Sequence, residues 1–328
     1  MVAVTGANGL VGSFIVKKLI EEGLPVTAVI RKNSNTDLLD GVGKRIVRRE
    51  ADVLDVPALT EALSGVDVVI HAAGVVSFSP GKAKRILQVN VEGTKNVVNT
   101  SLTLGVRKLI HISSVAALGR MKGVMKIDEE SKWVNSPLNS DYAQSKYLAE
   151  LEVYRGMEEG LNVTIINPSV VLAPAEWNNV SARLFQYVWK EKLFYTDGSI
   201  NFVDVRDVAE MVFRICSSDF AGQKFIANTG VISLLHFFEE IGKRFHKKPP
   251  SIKVSNPWTG LVARMEEVRS WLSGSEPLIT RQGVRLAKEA FYYDQQKAKD
   301  LMQMHFRPLN ETLDWCCDHY LRKVTIKK

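Results

Sequence analysis

The segment VAVTGANGLVGSF, residues 2–14, joins a β-branched run to a helix-patterned one through Gly6, Gly9 and Gly12. Glycine at such a junction permits a tight turn, close approach of the backbone to a pyrophosphate, and tight packing of helix on strand. The opening turn of the helix supplies unpaired N–H groups and a partial positive charge to the same phosphates. Three glycines alone carry little weight. Their position between a strand and a helix is what predicts a dinucleotide site.

The pattern continues outward from that turn. Short β-branched runs, "PVTAVIR", "RIVRREAD", "VDVVIHAAG", "VRKLIHISS" and "NVTIINPS", alternate with helix-patterned segments. Val11, Phe14, Ile15 and Leu19 fall on one face of the first helix, and Gly23 ends it. Alternation of this kind predicts right-handed crossovers and a parallel sheet covered on both faces. The strands are almost continuously apolar, as expected for burial on both sides. The expected fold is α/β: a Rossmann-type doubly wound parallel sheet with a smaller, interleaved C-terminal substrate lobe. Residues 1–168 form the nucleotide-binding domain, with 203–230 returning to it. Residues 169–202 and 231–328 form the lobe.

The chain has 328 residues, of which 45% are hydrophobic and 24% charged, enough for a sizeable core. Its net charge of +7 is a mild basic bias. The clusters "GKAKR" and "GKRFHKKPP" are short and lack interleaved aromatics, so they read as solvated surface and no nucleic-acid partner is expected. Cys216, Cys316 and Cys317 offer neither a CxxC pair nor Cys/His ligand spacing, so no metal is expected. With no basic leader before the strand at Val2 and no apolar run long enough to span a bilayer, the expectation is a cytoplasmic protein without a membrane partner.

In "SDYAQSKYLAE", residues 140–150, Tyr142 and Lys146 lie four apart in a helical pattern and share one face. A free phenol is almost wholly protonated at neutral pH. A cation nearby favours the phenolate, so Lys146 is expected to tune Tyr142 for proton exchange. The strand "PVTAVIRKNSN" ends in Arg31 and Lys32, with no acid before Asp37. A carboxylate there would accept from ribose hydroxyls and repel a 2′-phosphate, whereas a guanidinium grips phosphate. NADP is therefore the expected cofactor, with NAD the alternative.

The TGxxGxxG turn, Tyr-x-x-x-Lys and the segments "HAAG", "NVEGTKNV", "HISSVAALG", "INPSVVLAP" and "FVDVRDVAE" together resemble the extended short-chain dehydrogenase/reductase superfamily. Within it the chain looks like the NAD(P)-dependent epimerase/dehydratase family, closest to the dihydroflavonol-reductase and 3β-hydroxysteroid-dehydrogenase-like branch. The resemblance implies a catalytic set of Ser114, Tyr142 and Lys146, with Lys146 also bonding the nicotinamide ribose. It places Thr5, Gly6, Asn8, Gly9, Leu10 and Gly12 on the cofactor. Asp52 and Val53 fall at the adenine, and Ala72, Ala73, Asn90, Ser113, Pro168 and Ser169 along the cofactor's length. For Asn90, a structural role satisfying backbone is an equal reading. Ser114, Trp177 and Phe202 are the candidate substrate residues.

Val115, Ala116 and Ala117 follow Ser114 where the family's dehydratases carry acids, which argues against elimination. Many of its epimerases carry Tyr-Gly where this chain has Leu118-Gly119. The expected activity is NADP-dependent reduction of a carbonyl in a small organic substrate, with Tyr142 as proton donor. The alternatives are a nucleotide-sugar epimerase holding NAD and an NADP-binding sensor without chemistry. Asp204 and Asp207 read as capping or structural acids. The apolar-patterned stretch "PWTGLVARMEEVRSWLSG" reads as a core-facing helix, a lid or a membrane-surface helix. Family members often pair through two long helices, here Val91 to Thr103 and Tyr142 to Glu159, so a homodimer is possible.

Overall fold

A computed structural model describes residues 1–77, 80–177, 179–254 and 291–326. The "PWTGLVARMEEVRSWLSG" stretch lies outside the described residues. Seven strands form one parallel sheet: β1 (Val2–Thr5), β2 (Val26–Ile30), β3 (Ile46–Glu50), β4 (Val68–His71), β5 (Lys108–Ile112), β6 (Val163–Pro168) and β7 (Gln223–Ala227). Their order is β7-β6-β5-β4-β1-β2-β3. The direction of winding reverses between β1 and β4, which opens a crevice at the carboxyl ends of those strands. Thr5, His71, Ile112 and Pro168 all end there.

Each face of the sheet has its own core, as a parallel sheet between helices requires. On one face, Val4, Ile70 and Ile110 pack with Ile15, Val16 and Leu19 of helix Leu10–Glu21 and with Val208, Met211 and Val212 of helix Val205–Ser217. Lys18 ties these two helices together through Glu210 at 2.8 Å. On the other face, Ala3, Val69 and Leu109 meet Leu59 of helix Val56–Leu63, Val97 and Val98 of helix Gly93–Thr103, and Val153 of helix Asp141–Glu158. Gly23, at φ +77°, ends the first helix in the left-handed conformation that glycine adopts without penalty.

The lobe is built on a three-stranded sheet. Ser199–Asp204 pairs in parallel with Val170–Leu172 and antiparallel with Gly230–Ser233. Its core joins Phe185 of helix Ala182–Trp189, Phe237 and Ile241 of helix Leu234–Phe245, and Leu313, Cys316, Cys317 and Tyr320 near the C-terminus. One part of the chain departs from the sequence expectation. Ala298, Met302 and Met304, expected in the lobe, complete the first sheet core beside helix Val205–Ser217. Asp204 and Asp207 hold this junction. Asp204 caps that helix by accepting from Arg206 N–H at 2.8 Å and from the Thr312 hydroxyl at 2.8 Å. Asp207 accepts from the Arg307 N–H at 2.8 Å. No described helix is long and apolar enough to cross a membrane.

Candidate active site

The glycine turn is a close-packed object. A Cβ on Gly12 would lie 2.2 Å from the Gly6 carbonyl oxygen, and one on Gly6 would lie 2.6 Å from Ala73 Cα. Gly6 itself stands at φ +66°. Gly9 is exposed and opens the helix with no side-chain cap, so the first N–H groups face outward without a protein acceptor from that residue. Asn8 ties the turn to the loop after β2 by donating to the Asn35 carbonyl at 2.7 Å. Leu10 leans on the lobe core, so the turn sits where the two parts of the molecule meet.

Beyond β2, residues Arg31 to Ser34 border an open cleft of about 580 Å³, closed on its other side by Glu50, Ala51, Asp52, Asp55 and Ala58. Arg31 and Lys32 are exposed there, and among the described residues neither side chain has a partner. Glu50 was not singled out from the sequence. Its position opposite Ile30 brings a carboxylate to the same cleft.

Several residues expected on the cofactor spend their side chains elsewhere. The Thr5 hydroxyl bonds His71 Nδ1 at 2.8 Å and accepts from Ala73 N–H at 3.4 Å. Asn90 accepts from Val75 N–H at 2.7 Å, donates to the Val75 carbonyl at 3.0 Å and donates to Ser145 Oγ at 2.9 Å. That amide is fully used, so Asn90 is a clamp between the loop after β4 and helix Asp141–Glu158. Val53 packs under Gly93, where a Cβ would come within 2.6 Å of its Cγ2, and Asp52 accepts from Leu54 N–H at 3.0 Å. Pro168 ends β6 opposite Ala227. Ser169 is buried, and its hydroxyl has no partner among the described residues. The uncapped helix opening, the glycine cradle and this orphaned hydroxyl at the strand ends fit a bound dinucleotide.

Helix Asp141–Glu158 begins at Ser140, whose side chain accepts from Ala143 N–H at 2.9 Å. Tyr142 and Lys146 follow in its first turns, and both are buried. Ser114 caps the short turn after β5, accepting from Ala116 N–H at 3.2 Å, and its side chain hydrogen-bonds Tyr142. The structure thus brings the serine, the phenol and the lysine together at the crevice.

Burial pushes the Tyr142 hydroxyl above its ordinary pKa, and the groups opposing that rise are Ser114 and Arg120. Lys146 shares the helical face of Tyr142 and has a hydrogen-bond partner of its own. Its ammonium extends back to the Ile112 carbonyl at 3.1 Å, under Gly74. Sharing a helical face fixes where two side chains start, and the longer one can end elsewhere. Burial lowers Lys146 to about 8, and the Glu150 carboxylate opposes that fall.

Glu150 lies one further turn along the same face and is buried. It accepts from Asn167 Nδ2 at 2.6 Å and from the Ser113 hydroxyl, and pairs with Lys224 Nζ at 3.3 Å. Ser113 therefore faces this network. Asn167 also donates to the Ser114 carbonyl at 2.9 Å, which connects Glu150 to the position of Ser114. Glu150→Gln keeps the shape and removes the charge that supports the Lys146 ammonium. The alkaline limb of kcat/KM, set by loss of the Lys146 proton near pH 8, should then move to lower pH, with the rate near pH 6 largely kept. A pH–rate profile identical to wild type would show that Glu150 acts through packing alone.

The match to known proteins decides the family. A profile of the NAD dependent epimerase/dehydratase family covers residues 2–230. The chain belongs to that family. Among its relatives, sterol demethylase protein B of Methylococcus capsulatus is 29% identical over 73% of this chain and 73% of its own length. Cinnamoyl-CoA reductase 1 of Petunia hybrida is 28% identical over 78% and 80%. A putative dihydroflavonol 4-reductase of Synechocystis is 26% identical over 90% and 87%. The crystal structure of gox2253 superimposes with a TM-score of 0.84 at 29% identity, covering 98% of each chain. A UDP-glucose 4-epimerase of Thermotoga maritima superimposes at 0.81 with 19% identity over 98% and 99%, a likeness of fold alone. The chain shares the overall fold of these two structures.

The two large aromatics expected at the substrate have packing roles. Trp177 stacks on Tyr320 with ring centres 4.1 Å apart, and Phe202 is buried in the lobe core. Two residues passed over in the sequence, Trp133 and Arg120, act on or pack near Tyr142. Trp133 packs against the cluster of Ile86, Ala116, Tyr142 and Ala143 and stacks on Tyr147 at 4.5 Å. It also lines a cleft of about 370 Å³ with Asn135, Ser136, Asn139, Asp141 and Gln144. Arg120, on the loop that leaves Gly119, donates through Nε to the Tyr293 hydroxyl at 2.9 Å. Helical spacing from Lys146 would have pointed to Glu150, but no local signal marks Arg120.

Proposed function

We propose that the chain is an NADP-dependent oxidoreductase that reduces a carbonyl of a small organic substrate. The observation that carries this reading is the hydrogen-bonded Ser114–Tyr142 pair beside the buried Lys146, at the strand ends next to the glycine turn. A bound NADPH supplies hydride to the carbonyl carbon. Ser114 and Tyr142 hold the carbonyl oxygen from one side, and their hydroxyls stabilise the charge that develops on it. Tyr142 then gives its proton to that oxygen. Burial excludes water from the phenol, and the chain immediately after Ser114 buries Val115, Ala116 and Ala117 with no acid to perform an elimination. Reductase names among the relatives support the same direction.

The NADP preference rests on Arg31 and Lys32 at the cleft beyond β2, with Glu50 as the opposing charge. Arg31→Ala should lower the ratio of NADPH to NADH efficiency by about 10–100-fold, the worth of one charge-assisted hydrogen-bond fork. Steady-state kinetics with both cofactors reads this directly, and an unchanged ratio would assign the 2′ position to another group. For the reaction itself, purified protein and NADPH are mixed with aldehydes and ketones while nicotinamide absorbance is followed. Turnover of at least one member is the expected result. Inversion of a nucleotide sugar with no net reduction of any carbonyl would overturn the reading.

A further inference from the structure

We propose that Arg120 is the anion-recognising corner of the substrate site, so that the carbonyl compound reduced here is an oxo acid bearing a carboxylate. This rests on the reductase reading above and names its substrate class. Arg120 follows directly on the turn that Ser114 opens and Gly119 closes. It is half-buried, and its one hydrogen bond among the described residues runs from Nε to the neutral Tyr293 hydroxyl. No carboxylate among the described residues pairs with it. The half-buried Arg155, Arg206, Arg214, Arg244 and Arg307 each hold an acid, and the half-buried Arg49, which holds none among the described residues, donates to the carbonyls of Ala62 and Ser64 at 3.0 and 2.8 Å, whereas Arg120 meets one hydroxyl. A guanidinium withdrawn from water without a counter-charge is costly, and a bound anion offsets that cost.

The anchoring is firm. Tyr293 is buried; its carbonyl accepts from Asn228 Nδ2 at 2.8 Å, and its N–H donates to Asn201 Oδ1 at 3.4 Å. Asn201 belongs to the lobe sheet and also donates to the Phe291 carbonyl at 2.8 Å. Arg120 therefore stands between the loop from β5 and the lobe, with Nε fixed and, among the described residues, no partner on either terminal nitrogen. That edge of the fork matches a carboxylate in two parallel hydrogen bonds. The loop that carries Arg120 begins at Ser114, and the Arg120 charge opposes the effect of burial on the Tyr142 hydroxyl. An acid group held at Arg120 is thereby anchored on the same loop as Ser114, which with Tyr142 engages the carbonyl.

The test uses oxo acids and their methyl esters as matched pairs. Wild-type protein should show higher kcat/KM for the acids, and Arg120→Gln should lower the acid-to-ester ratio about 10–100-fold. Arg120→Lys, which keeps the charge without the fork, should restore part of it. Equilibrium binding of the acids to the protein–NADP complex, read by tryptophan fluorescence, should weaken in Arg120→Gln in the same proportion. Ester turnover by wild type with no preference for the acid overturns the inference and leaves the reductase reading standing. Absence of turnover with acids, esters and neutral carbonyls alike counts against the reductase reading. In that case the binding measurement decides on Arg120, and equal acid affinity in wild type and Arg120→Gln overturns it. The wild-type preference and affinity need no variant, so they hold even where a substitution impairs folding.

Discussion

Tyr142→Phe is expected to lower kcat for carbonyl reduction by about 100- to 10,000-fold, the usual worth of a positioned proton donor. The substitution removes one oxygen and leaves the ring, which packs with Ile86, Ala116 and Ala143. Ser114 keeps its bond from Ala116 N–H, and Lys146 keeps its bond to the Ile112 carbonyl. Fold and cofactor affinity should therefore stay close to wild type. That separates loss of chemistry from loss of structure. Single-turnover kinetics and a fluorescence titration with NADPH measure the two quantities on one sample. An unchanged rate would mean that the proton comes from elsewhere, and equal behaviour in every assay would favour a sensor that binds NADP without chemistry.

Gly12→Ala is expected to weaken cofactor binding by about 100-fold or more, the loss of one or two charge-assisted hydrogen bonds from the backbone to the pyrophosphate. The new Cβ would fall 2.2 Å from the Gly6 carbonyl oxygen, a backbone atom with little room to retreat. Gly6 is itself pressed against Ala73, so the helix start has to shift instead. Overpacking of this kind costs about 1–3 kcal/mol of stability. Gly230→Ala is the control, because its Cβ would meet nothing within 4 Å. A calorimetric titration of NADP and a thermal melt on both variants check the expectation. Wild-type affinity in Gly12→Ala would detach the turn from the cofactor.

The two substitutions probe features of different legibility. The glycine turn could be read directly, since strand, turn and helix are contiguous and their pattern is local. The pairing of Tyr142 with Ser114 could be anticipated by resemblance, but the charge beside the phenol could not. Spacing pointed to Lys146, whose ammonium reaches the Ile112 carbonyl, and the folded chain adds Arg120 as a further charge acting on the phenol. Likewise the amide of Asn90, equally readable as a ligand group or a structural one, is consumed by Val75 and by Ser145, a residue 55 positions away. Trp177, a large aromatic near the end of a strand, stacks instead on Tyr320.

By itself the sequence determined the parallel sheet, the glycine cradle at the first turn and the helix that carries Tyr142 and Lys146. These follow from apolar periodicity and backbone freedom over a dozen residues at a time. Tertiary structure alone decided which polar groups are already spoken for and which are left to meet a ligand. Arg120 and its partner Tyr293 stand 173 residues apart. A side chain's spare hydrogen bonds and unbalanced charge depend on neighbours that only folding brings near, and no local pattern in the chain records them.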